Sequence, residues 1–136
     1  MKVIKLIPAI LFLGWIFILN SCESGSSVSP AATVKEFSDK IEKGEFEQAI
    51  GCIATYEKPL DKEAKDELTL LLGMAKREVD KKKGIKNMEL LNETIGPDGK
   101  TAIVKIRYTY GDGSVNEESN SLVKEEGRWK LSLQKK

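Results

Sequence analysis

The apolar positions of this chain change period twice. Between Leu6 and Ser21 they run almost unbroken, 16 residues without a charge. From Val34 to Val79 they recur every three or four positions, the spacing of helices that bury one stripe. From Ile85 onward they alternate with polar residues, as in strands with one face in a core. Helices followed by strands predict an α+β domain with its helices on one face of an antiparallel sheet.

Three N-terminal helices are expected. Ser29-Pro30 reads as an N-cap followed by the proline that helices accept at their first position. Thr33 with Glu36 offers an alternative capping box one turn later. Val34, Phe37 and Ile41 mark the buried face, and Gly44 interrupts. A short second helix carries Phe46, Ala49, Ile50 and Ile53 on one side, until "YEKP" (56–59) breaks it. Asp61 caps a third helix running toward Lys83, with Leu68, Leu71, Leu72, Ala75 and Val79 as its stripe. Acids gather at its start and Lys81, Lys82 and Lys83 at its end, as the helix dipole prefers. The dipole explains that lysine cluster without a phosphate or lipid ligand.

Four strands follow, joined by "GPDGK", "GDGS" and Gly127. The first is "IKNMELLNETI". In "TAIVKIRYTY", Ala102, Val104, Ile106, Tyr108 and Tyr110 share one face, while Lys105, Arg107 and Thr109 share the other with Ile103. The third is "VNEESNSLVKEE"; in "RWKLSLQ", Trp129, Leu131 and Leu133 fall on one face. In the first strand Met88 and Leu90 contend for the inner face, and Glu89 and Glu93 are expected outside. The opposite phase would bring one of those acids beside the tyrosines.

The opening run is an address. Lys2 and Lys5 precede it, and it falls short of the roughly 20 residues that span a bilayer. Charge, apolar core, then small polar residues is the layout of a secretory signal; an uncleaved membrane anchor is the alternative. "LNSC" resembles the lipobox of bacterial lipoproteins, with Leu19 at −3, Ser21 at −1 and the cysteine at Cys22. The resemblance implies diacylglycerol on the Cys22 thiol, cleavage before it and acylation of the new amine. It divides the chain into a signal peptide (1–21), a lipidated cysteine with a flexible tether (22–29) and a folded domain (30–136). It implies attachment to the bacterial cell envelope, with the outer membrane as the expected site. Each buried methylene of such an anchor contributes about 0.8 kcal/mol, so several chains hold firmly. The serine- and glycine-rich tether, Glu23 to Ser29, reaches about 25 Å at full extension.

Charge and composition narrow the chemistry. The chain has 22 Lys and Arg against 21 Asp and Glu, and two of those lysines lie in the signal. A near-neutral mature chain gives no electrostatic basis for nucleic-acid binding. Without a single histidine, Ser-His and Cys-His nucleophile systems and the usual zinc sites are removed together. No metal and no cofactor are expected. With Cys22 lipidated, Cys52 has no disulfide partner; it sits in an apolar helical pattern and reads as a small buried core residue.

"TVKEFSDKIEKGEFEQAI", "TAIVKIRYTYGDGS" and "LVKEEGRWKLS" resemble the small lipoproteins of domain-of-unknown-function family 4878. The resemblance implies a lumazine-binding-like, nuclear-transport-factor-2-like cone: a curved sheet around a helical layer, often with a pocket at its open end. It implies no reaction. Phe37, Ile41, Tyr56, Tyr108, Tyr110 and Trp129 are the candidate lining of such a pocket, for a small apolar ligand or an envelope protein. Catalytic relatives of the fold set an Asp or His beside tyrosines inside the cone, whereas the inward positions here are Ala, Val, Ile, Tyr and Tyr. The expectation is therefore a non-enzymatic binding or interaction module. The alternative is an enzyme with Tyr108 or Tyr110 as proton donor, although an ordinary phenol near 10 is far from neutral pH. A third reading, a subunit that dimerises through the outer face of the sheet, conflicts with Lys105, Arg107 and Thr109 on that face. The sequence leaves the oligomeric state open.

Overall fold

A computed structural model describes residues 28–56 and 58–133. The run expected to be a signal, and Cys22, lie outside the described residues.

The first helix, α1 (Pro30–Lys43), starts at the earlier of its two candidate caps. The Ser29 hydroxyl accepts the Ala32 N–H at 3.1 Å, and Pro30 takes the first helical position. Thr33 is buried instead, its hydroxyl donating to the Trp129 carbonyl at 3.4 Å. Gly44 ends the helix at φ 77°, a left-handed conformation that costs glycine little. Helix α2 (Phe46–Ile50) is a single turn. Ile53, expected on that helix, lies beyond its end and forms an isolated parallel bridge with Leu131. Cys52 also lies after the helix rather than on it, and is buried as expected.

Asp61 caps α3 (Lys62–Lys81), accepting the Ala64 N–H at 2.8 Å. Its buried stripe is narrower than the sequence suggests. Leu72 is buried and Leu68 and Val79 are half-buried, but Leu71 and Ala75 are exposed. The helix packs mainly against α1 and α2, with Val79 reaching the core cluster on the sheet, so one narrow seam satisfies it. Leu70, Leu71 and Met74 are left 65, 53 and 54% exposed.

Strands β1 (Ile85–Ile95), β2 (Thr101–Tyr110), β3 (Val115–Glu125) and β4 (Arg128–Leu131) pair in that order as an antiparallel meander. Two register shifts interrupt β1, one between Ile85 and Asn87 and one between Leu90 and Asn92. Each extra residue bends the strand and resets its alternation. Met88 therefore faces inward opposite Tyr108, Leu90 stands opposite Ile106 but is 41% exposed, and Glu89 stays outside, 3.1 Å from Arg107. Past the second bulge the parity reverses: Glu93, expected outside, stands opposite the fully buried Val104. Leu133 is a further correction. Strand β4 stops at Leu131, and Leu133 is 57% exposed.

The inner face of β2 alternates without a break, with Ala102, Val104, Ile106, Tyr108 and Tyr110 all buried. They pack with Ala31 and Val34 of α1, Leu122 of β3 and Trp129 and Leu131 of β4. A second cluster joins Ile41, Ala49, Ile50 and Leu72 among the helices, and Phe37 touches both. The helical layer is also tied to the sheet end-on. Gly111 N–H donates to Gly84 O at 2.9 Å and Asp112 N–H to Lys82 O at 3.0 Å.

Candidate functional site

Among the described residues, the inner face of the sheet and a cleft outside it both bring polar side chains together. On the inner face, the Tyr108 hydroxyl is 3.0 Å from the Ser38 hydroxyl of α1, both of them buried. The Tyr110 ring stacks beside Tyr108 with centroids 6.4 Å apart, and the Lys82 ammonium lies 4.5 Å from its centroid. Burial pushes both phenols above their ordinary value, and the Glu118 carboxylate pushes the same way.

Glu118 was legible and missed. Leu122 faces the core, so a strand period of two sends Asn120, Glu118 and Asn116 to the same side. The register confirms it: they stand opposite Val104, Ile106 and Tyr108. Asn116 donates to Glu118 Oε1 at 2.9 Å, and the Asn120 amide nitrogen is enclosed without a partner among the described residues. On the inner face, the acid nearest in register to the tyrosines thus comes from β3 rather than β1. It remains exposed, while Tyr108 spends its hydroxyl on Ser38.

The outer cleft has a volume of about 620 Å³ and lies between α1, the turn after α2 and the β3–β4 hairpin. Long-range backbone contacts build it. Leu131 N–H donates to Cys52 O and Ala54 N–H to Leu131 O, each at 2.8 Å, which docks residues 52–54 along β4. The Lys130 ammonium bonds the Gly51 carbonyl. Glu126 (φ 49°) and Gly127 (φ 77°) make the tight hairpin turn that presents Arg128 and Lys130 on either side of Trp129. The walls carry both signs of charge, Lys40, Arg128 and Lys130 against Glu36 and Glu126. Trp129 and Cys52 supply apolar surface. Burial pushes the Cys52 thiol up, so it stays protonated at neutral pH, where a thiol is a poor nucleophile.

A second depression, about 1050 Å³, continues from the first and shares Gly51, Glu126, Arg128 and Lys130 with it. Glu125 shapes its wall by accepting the N–H groups of Thr55 and Tyr56 at 3.1 and 2.6 Å. A third cleft, about 630 Å³, lies between α2 and α3. Of the residues expected to line a pocket, Trp129 lines the first cleft and Tyr56 the second. Phe37, Ile41, Tyr108 and Tyr110 line none of the three; they pack into the two core clusters. Among the described residues no group of three or more Cys, Asp or Glu side chains is placed to hold a metal ion.

Residues 21–132 match the family described as domain of unknown function (DUF4878). The chain belongs to that family. Among solved structures, the DUF4878 chain is similar to an NTF2-like protein from Campylobacter jejuni that carries the name transpeptidase. The TM-score is 0.68 at 17% identity, over 79% of this chain and 100% of that one. It is also similar to a SEC-C motif containing protein from Rhodopseudomonas palustris, with TM-score 0.52 at 18% identity over 81% of this chain and 78% of that one. At such identities the likeness is one of fold: the DUF4878 chain has an NTF2-like α+β fold. Among curated proteins none matches it.

Proposed function

We propose that this domain is a non-enzymatic binding module of the cell envelope, tethered through lipid on Cys22, that takes its partner in the cleft around Trp129. The observation that supports this is where the free space lies. The interior is packed, with Val104 and Ile106 fully buried, Leu122 1% exposed and the Tyr108 hydroxyl engaged by Ser38. The open space lies outside, around β4. An apolar floor rimmed by both signs of charge suits a segment of an envelope protein better than a small apolar ligand.

The rival, an enzyme with a tyrosine proton donor, fits less well. Burial holds Tyr108 and Tyr110 in their protonated form well above neutral pH, the wrong direction for acid–base work. The name of the Campylobacter jejuni protein does not carry over either. A transpeptidase of this chain would need an activated nucleophile, and Cys52 is a protonated thiol in a chain without histidine.

The test is photo-crosslinking in intact cells that make the full chain. A photoreactive residue replacing Arg128 is expected to capture a defined envelope protein, and one replacing the exposed Lys100 in the β1–β2 turn is not. Equal capture at both positions, or none at Arg128, would remove the cleft from consideration.

A further inference from the structure

The exposed face of α3 carries an ordered pattern. Glu63, Glu67, Leu70, Met74, Arg77 and Lys81 follow one another at spacings of four, three, four, three and four, the repeat of a coiled-coil seam. All six are exposed. The order is acid, acid, apolar, apolar, base, base. Read in the opposite direction the spacings are unchanged and the charges are exchanged. Glu63, Glu67 and Arg77 join no ion pair among the described residues. Lys81 meets Glu78 at 2.8 Å, with both side chains largely in water, so that pair is exchanged at little cost.

We propose that this face pairs with the same face of a second copy, the two α3 helices lying antiparallel about a twofold axis near the level of Leu72. In that register Leu70 meets Met74 of the other copy, Glu67 meets Arg77, and Glu63 meets Lys81. Each contact occurs twice, as an isologous interface requires. Leu71 flanks the seam and adds apolar area. An antiparallel pair also sets each helix's positive end beside the other's negative end. A second copy fits better than an anionic membrane, because Glu63, Glu67 and Glu78 would meet the headgroups along with the bases. One helix face is small against the roughly 1,600 Å² of a standard interface, so the pairing is weak in dilute solution. Confinement of tethered copies to one membrane surface would raise their effective concentration. That last step rests on the anchor proposed above; the register does not.

A zero-length carbodiimide reports directly on this arrangement. Within one helix Glu63 and Lys81 lie about 27 Å apart along the axis, so a peptide joining them must come from two chains. In membranes from cells making the full chain, the dimer band is expected to yield that peptide. Leu70→Glu should reduce its yield at least about tenfold, since it sets two carboxylates against the partner's apolar residues. Glu67→Arg and Arg77→Glu should each weaken it by a similar factor, and the double variant should restore it to within about threefold. None of these exposed substitutions alters Glu63 or Lys81, and far-UV circular dichroism checks the fold of each. The proposal is overturned by no Glu63–Lys81 peptide in the wild type, by a yield indifferent to Leu70→Glu, by failure of the double swap to restore it, or by Lys81 joined to a different protein instead.

Discussion

Replacing Tyr108 with Phe removes a hydroxyl that Ser38 meets at 3.0 Å and strands the serine hydroxyl in the core. The expected cost is about 1 to 2 kcal/mol in a urea titration near pH 8. Its pH dependence follows from the raised phenol. Below about pH 10 the tyrosine is protonated in both the folded and the unfolded chain. Above that, the unfolded chain ionises first, and the wild type loses stability as the pH climbs toward the folded value. The phenylalanine variant lacks this loss, so the gap between the two proteins should narrow as the pH rises past about 10. A gap that widens there would mean the hydroxyl is open to water. Trp129→Ala tests the same core from β4. The indole is 9% exposed among Val34, Leu122 and Leu131, so the loss should reach about 3 to 5 kcal/mol. A loss under about 1 kcal/mol would place the indole on the surface.

At the scale of elements, the contact between α3 and the β2–β3 turn depends on a missing side chain. A Cβ on Gly111 would come within 2.3 Å of the Lys83 carbonyl oxygen, which is backbone and cannot swing aside. Gly111→Ala should part the Gly111–Gly84 and Asp112–Lys82 hydrogen bonds and cost about 1 to 3 kcal/mol. Faster amide exchange at those two N–H groups would show the parting directly. Such contacts explain what the sequence conveyed and what it did not. Ser29, Gly44 and Asp61 act on their own neighbours, so the helix ends were legible, as was the unbroken alternation of β2. The β1 bulge that turns Glu93 inward leaves no local mark. Nor does the docking of residues 52–54 on β4, which joins positions nearly 80 residues apart. The outer cleft is built from that docking. Of its parts, only the hairpin with Arg128, Trp129 and Lys130 stood out in the sequence.

For the whole molecule, the placement of α1 decides how a tethered domain presents itself. We propose the tether at Cys22, and Cys22→Ala tests it: the variant should leave the membrane fraction, or stay as an uncleaved precursor. A mature protein that remains membrane-bound without that thiol would refute the anchor. Val28, among the first described residues, stands on the lip of the Trp129 cleft. The proposed leash and the mouth of the cleft would therefore share one side of the domain. Seven residues anchored at Cys22, as proposed, would span at most about 25 Å and work as a short radius, not merely an attachment. On the proposed anchor the cleft would sweep a thin shell over the bilayer, and a partner further out would have to reach down to it. With such an anchor the best-placed partners would themselves be membrane proteins, or segments of larger envelope assemblies that run close to the lipid.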